Sequence, residues 1–330
     1  MKFGSSFGNL ATHLHPRRDF LAGSAALIMA GSTIAWGQGK GEEGPKIPEP
    51  ENVPLETKDG VQLRCTFYPG TAKKKAIPII MIHGWGGQRG EYHALAVALQ
   101  LRGNAVMLPD LRGHGESTRI KDAKGEIKDI DPAKLRTDDL KKMLLDLEAV
   151  KKYLMKRNNA AELNIESLCV VGAGFGCILA LNWAAADWSV KSLPSFKQGQ
   201  DVKALILLSP LESFKGVTTR DALTHPIVKS RLSTLICVGK ESPKELGDAK
   251  RIYNSLAKFH FQVKPQTDPE EAETKQDLFL VEDETSLQGT ELLAKGLQTP
   301  QEIGKFINRR LIAKMDDFEW MERKNPLGND

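Results

Sequence analysis

From Ile77 onward the chain alternates short unbroken apolar runs with longer stretches in which apolar residues recur every three or four positions. The runs are Ile77 to Ile82, Ala105 to Leu108, Leu168 to Val171, Ala204 to Leu208, Leu235 to Val238 and Leu278 to Val281. Apolar on both alternating faces, they fit parallel strands buried on both sides. Val61 to Tyr68 instead alternates apolar and polar residues, the pattern of a half-exposed antiparallel edge strand. Between the runs, helical periodicity covers Tyr92 to Leu101, Leu135 to Met155, Phe175 to Trp188, Lys244 to Phe259 and Thr299 to Lys314. In the second of these, Leu140, Leu144, Leu147, Val150 and Leu154 form one apolar stripe. Pro300 stands just inside the start of the last, where its missing N–H costs nothing. Strand–helix alternation of this kind predicts right-handed crossovers and a doubly wound, mostly parallel sheet with helices on both faces.

The amino-terminal stretch does not join this pattern. His15-Pro16-Arg17-Arg18-Asp19-Phe20-Leu21 leads into a segment of Ala, Gly and Ser, the order of a basic and then a weakly apolar region in a bacterial export signal. The paired arginines resemble the twin-arginine type. The expected organisation is a signal over residues 1–37, a Gly-, Pro-, Glu- and Lys-rich linker over 38–52, and one domain over 53–330. The expected location is periplasmic or extracellular; the alternative is attachment through an uncleaved signal. No apolar run reaches the roughly 18 residues of a membrane span. The formal net charge is +4 for 330 residues, with both signs interspersed along the helices, which argues against a nucleic-acid stripe. Cys65, Cys169, Cys177 and Cys237 fall in expected core elements and match no metal spacing, so they read as small buried residues. No metal or cofactor is expected.

Three motifs follow apolar strands directly. The first is Ile82-His83-Gly84-Trp85-Gly86-Gly87, the second Asp110-Leu111-Arg112-Gly113-His114-Gly115-Glu116-Ser117, and the third Gly172-Ala173-Gly174-Phe175-Gly176. In this order and spacing they resemble the α/β-hydrolase family of lipases, esterases and peptidases, over roughly Val53 to Ile312. The resemblance implies an α/β-hydrolase fold and, with only a short insertion between Pro210 and Arg231, little or no lid. It also implies an oxyanion hole from the backbone N–H groups of Trp85, in the His83-Gly84 turn, and of Phe175.

The resemblance also locates the triad, and there the sequence departs from it. Gly174 stands at the nucleophile position of the G-x-S-x-G elbow and has no atom with which to attack a carbonyl. The acid position after the strand ending at Val238 matches Ser242, with Glu241 adjacent and Glu212 at an alternative acid location. The base position, in the loop after the strand ending at Val281, matches Gln288, whose amide has no useful proton affinity near neutral pH. The expected function is therefore a degenerate, non-hydrolytic member that binds a small molecule or a protein. The alternative is an active ester or amide hydrolase with relocated or misaligned catalytic residues, for which His83, His114, Glu116 and Glu212 are the polar candidates. For these the blander readings are a structural histidine in the first turn and hydrogen-bonded turn residues in the second motif, Asp110 included. Cys177 reads as an inert packing residue, and Trp85 either lines a pocket or packs. The polar stretch His260 to Lys275 reads as a mobile surface loop.

Overall fold

Runs that are apolar on both faces must be covered twice, and each takes the place in the sheet that this demands. The computed structural model describes residues 47–193 and 196–323; the expected signal lies outside them, as does most of the expected linker. The strands are β1 (Glu51–Glu56), β2 (Val61–Tyr68), β3 (Pro78–Ile82), β4 (Ala105–Pro109), β5 (Arg119–Lys121), β6 (Ile127–Asp129), β7 (Leu168–Ala173), β8 (Val202–Leu208), β9 (Ser213–Phe214), β10 (Val217–Thr218), β11 (Ser233–Gly239) and β12 (Leu278–Asp283). The order β12-β11-β8-β7-β3-β4 is parallel throughout, then β2, β5 and β6 continue antiparallel, with β1 alongside β2. β9 and β10 form a separate hairpin.

The α-helices are α1 (His93–Gln100), α2 (Thr137–Lys141), α3 (Leu144–Asn159), α4 (Phe175–Ser189), α5 (Arg220–Thr224), α6 (Pro226–Ser230), α7 (Pro243–Ala257), α8 (Pro269–Lys275) and α9 (Thr299–Arg310). Successive strand residues feed opposite cores. Ile80, Ile82, Met107 and Val170 pack with α3, α4 and α7, whereas Ile79, Met81, Val106 and Val171 pack with α1 and α9. Each fully buried Ile or Leu contributes on the order of 2 kcal/mol. This two-sided core holds the carboxyl ends of β3, β7, β8 and β11 in fixed relation, and those ends build the site. All four cysteines are buried and unpaired, and burial pushes each thiol pKa up.

The structure departs from the sequence pattern in five places. The helix expected over Leu135 to Met155 is broken after Lys141, where Leu145 and Asp146 donate to the carbonyls of Lys142 and Met143 three residues back. That tightening re-aims the chain so that Leu140 and Leu147 both reach the core. β2 is not an edge strand, because β1 pairs with it from Glu51 to Glu56. The expected linker thus gives up its last residues to a strand, and Pro54 is tolerated there because β1 is an edge. The exposed β5–β6 hairpin has no apolar alternation to announce it. The segment expected as a surface loop carries α8, whose first amides are capped by the Asp268 carboxylate at 2.9 and 3.2 Å. The helix expected over Thr299 to Lys314 ends at Arg310 and passes into a 3-10 turn.

Candidate functional site

The turn from β7 into α4 is the centre of the site, and its three glycines have different reasons to be glycine. Any Cβ on Gly172 would meet the Gly176 carbonyl at 2.6 Å, and one on Gly176 would meet the Ile82 oxygen at 2.4 Å. Those two let α4 pack directly on β7 and β3. Gly174 lies between them at φ +52°, ψ −113°, a sparsely populated conformation that costs other residues about 1–3 kcal/mol. Its own Cβ direction is open, with nothing within 4 Å. The Gly174 N–H is held by the Leu208 carbonyl at 2.9 Å, which ties the turn to the end of β8.

Above this turn is a cleft of about 630 Å3 lined by Gly84 to Gly87, Gly174, Phe175, Ser209 and the Gln288 to Glu291 loop. Among the described residues, the backbone N–H groups of Trp85 and Phe175 have no acceptor. Phe175 opens a fifteen-residue helix, so its amide carries the positive end of the helix dipole. The geometry leaves two unengaged donors beside a position with no side chain.

One wall of the cleft is aromatic. Trp85 packs edge-on to Phe175 and His114, with ring centroids 5.7 and 4.7 Å away, and lies 5.2 Å from Phe214 of β9. The Lys215 ammonium lies 4.2 Å above the Trp85 ring, a contact worth about 0.5–1 kcal/mol at an exposed site. Trp85 therefore both lines the cleft and packs. The β9–β10 hairpin supplies this wall within the short Pro210–Arg231 insertion.

The Gln288 amide is fully committed. Its Oε1 accepts from Ser209 Oγ at 2.5 Å and its Nε2 donates to the Gly239 carbonyl at 2.8 Å. Ser209 Oγ in turn accepts from the Gly289 N–H at 2.8 Å. Gln288 thus fastens the loop after β12 to the ends of β8 and β11. Ser242 stands at the N-cap position of α7 without capping it, donates its hydroxyl instead to the Ser286 carbonyl at 3.3 Å, and is not among the cleft-lining residues. The carboxylate that α7 does turn toward the cleft is Glu245.

Among the described residues the side chains of the four alternative candidates share no hydrogen bond, although the His83 and His114 rings lie 5.4 Å apart. His83 is fully buried; its Nε2 accepts from the Leu111 N–H at 3.0 Å, which leaves Nδ1 to donate to the Gly84 carbonyl at 2.7 Å. Burial holds its pKa below the ordinary value. His114 donates from Nδ1 to the Arg112 carbonyl at 3.0 Å, its Nε2 is buried with no hydrogen-bond partner among the described residues, and burial also lowers its pKa. Glu116 pairs with Arg89, which also binds the buried Asp110, and Asp110 accepts from the Glu116 N–H at 2.9 Å. Glu212 pairs with Arg251 at 2.5 Å and lines a different cleft.

Ser209, Phe214 and Glu245 were not singled out from the sequence. The only local signal for Ser209 is its place before Pro210 at the end of an apolar run. Its φ of +49°, unusual for a serine, is a tertiary result.

A family model described as the alpha/beta hydrolase fold matches residues 77–224. An esterase of Pyrococcus furiosus superposes with a TM-score of 0.54 at 16% identity, covering 80% of this chain and 92% of its own. A dienelactone hydrolase of Anabaena variabilis gives 0.53 at 18% identity, covering 81% and 100%. Two uncharacterised Mycobacterium tuberculosis proteins are 35% identical over 69 residues, so the match spans 21% of this chain and 25% of theirs.

Proposed function

Starting from the α/β-hydrolase fold of this chain, we propose that the protein is an exported, non-hydrolytic member that binds a ligand in the cleft above Gly174. The observation that carries this reading is Gly174 itself, held in the strained elbow conformation with an open Cβ direction and no nucleophile. Further support comes from Gln288, whose amide serves as a clasp between strand ends where the family resemblance puts a base. A ligand carbonyl or carboxylate fits the unengaged Trp85 and Phe175 amides, and an apolar group fits the Trp85–Phe214 wall.

The test is hydrolysis of p-nitrophenyl esters and peptide amides, with a fluorophosphonate probe as a label for any activated serine. The expected outcome is no turnover above buffer and no label. The second reading, an active hydrolase with relocated residues, is favoured by the names of the superposing esterase and dienelactone hydrolase. Turnover that disappears in Ser209→Ala, Glu245→Gln or His114→Asn would replace the first reading with the second.

A further inference from the structure

Ser213 and Phe214 are successive residues of β9, so their side chains leave on opposite faces. Phe214 lines the cleft above Gly174, and Ser213 lines a second cleft of about 590 Å3. That volume lies within the range of small-molecule sites. Its floor and sides come from β10, α5, α6 and the end of α7, and neither Gly174, Ser242 nor Gln288 lines it.

Three cations, Arg220, Lys229 and Lys258, face this second cleft, and none is in an ion pair with a described residue. Its one carboxylate, Glu212, is already matched by Arg251. The cleft therefore holds an uncompensated positive charge. Beside the cations lies Phe259, with half its surface open at 50% exposure, although the Lys229 ammonium sits 4.6 Å from the ring centroid. An exposed aromatic ring among unpaired cations favours a ligand that is anionic at one end and flat and apolar at the other.

The hydroxyls narrow the choice further. Thr224 donates to the Asp221 carbonyl at 2.9 Å and Ser255 to the Ile252 carbonyl at 2.7 Å, whereas the exposed hydroxyls of Ser213 and Thr218 have no partner among the described residues. With their protons spent on the main chain, Thr224 and Ser255 offer only lone pairs, and Ser213 and Thr218 can both donate and accept. Together they suit a ligand segment rich in hydroxyls, which both donate and accept. We infer that this cleft binds an organic phosphate of the nucleoside monophosphate kind, with the phosphate at the cations, the sugar hydroxyls at the Thr and Ser oxygens, and the base on Phe259.

The experiment is titration calorimetry of the whole protein with adenosine 5′-monophosphate, adenosine, inorganic phosphate and ribose 5-phosphate. The nucleotide is expected to bind saturably and more weakly as salt rises. Lys229→Gln with Lys258→Gln should weaken it by at least about tenfold, the loss of one charge-assisted bond or more. Phe259→Ser should reduce it to the level of ribose 5-phosphate. All three positions are at the surface, and an unchanged unfolding midpoint shows that the variants are folded. No saturable nucleotide binding, undiminished binding in the double glutamine variant, or equally tight binding of adenosine or inorganic phosphate would each overturn the assignment. Because none of these readouts involves Gly174, hydrolytic activity in the other cleft would leave the inference standing.

Discussion

Gly174, His83 and Ser209 illustrate three ways in which a residue is fixed by its surroundings. Gly174 is dictated by backbone angles, and its identity could be read from the glycine-rich turn between an apolar strand and an apolar helix. His83 is dictated by two main-chain partners that hold the imidazole neutral. Its folded pKa lies below its unfolded value near 6.5, so below that pH the unfolded chain gains a proton that the folded one refuses. Stability is therefore complete above about pH 6.5 and is lost on acidification toward the folded pKa. Between pH 7.5 and 5.5, urea unfolding of the wild type should lose stability more steeply than that of His83→Gln, by up to about 1.4 kcal/mol per pH unit. Equal slopes would mean that His83 takes up its proton at the same pH in the folded and the unfolded chain, and a shallower wild-type slope that it is charged in the fold. Ser209 illustrates the third case, since its partners lie in a loop some eighty positions away and no local pattern names them.

Among the elements, legibility followed burial. The parallel strands were evident because two-sided burial leaves an unbroken apolar run, and α4 was evident because its face against the sheet is apolar throughout. β5 and β6 were not, since neither has a buried residue. The break between α2 and α3 was hidden because the apolar stripe continues through it. The wall residues of the cleft were hidden for another reason: β9, the start of α7 and the loop after β12 lie far apart along the chain and are brought together only by the fold. The strap of residues 318–323 that follows the last 3-10 turn carries a prediction of its own. Arg323 is buried and pairs with Glu166 and Asp201, a cluster completed by Lys151, Lys197 and Asp187. Its N–H also donates to the Asn159 side chain at 2.8 Å. Arg323→Ala should leave carboxylates short of a counterion and cost about 3 kcal/mol in urea unfolding. A loss under about 0.5 kcal/mol would show that the strap is a surface ornament.

For the molecule as a whole, the fold was legible because three glycine-rich turns follow three apolar strands in a fixed order, while residues 1–46 lie outside the described structure. Among the described residues no helix is long and apolar enough to cross a membrane. The export proposal therefore rests on Arg17 and Arg18 in the sequence. Replacing both by lysine should strand the full chain in the cytoplasmic fraction of a bacterial host with the twin-arginine pathway, whereas the unaltered chain should leave it. Unaltered distribution would sink that proposal. The buried cysteines have a practical consequence of a different kind. The chain contains four, all sealed in the core with thiols too weakly acidic to react. The native protein should thus be silent to maleimides, and a cysteine written in at position 174 would project into empty space at a helix start. A single spin label or fluorophore could then be carried to the floor of the cleft and report directly on whatever enters it.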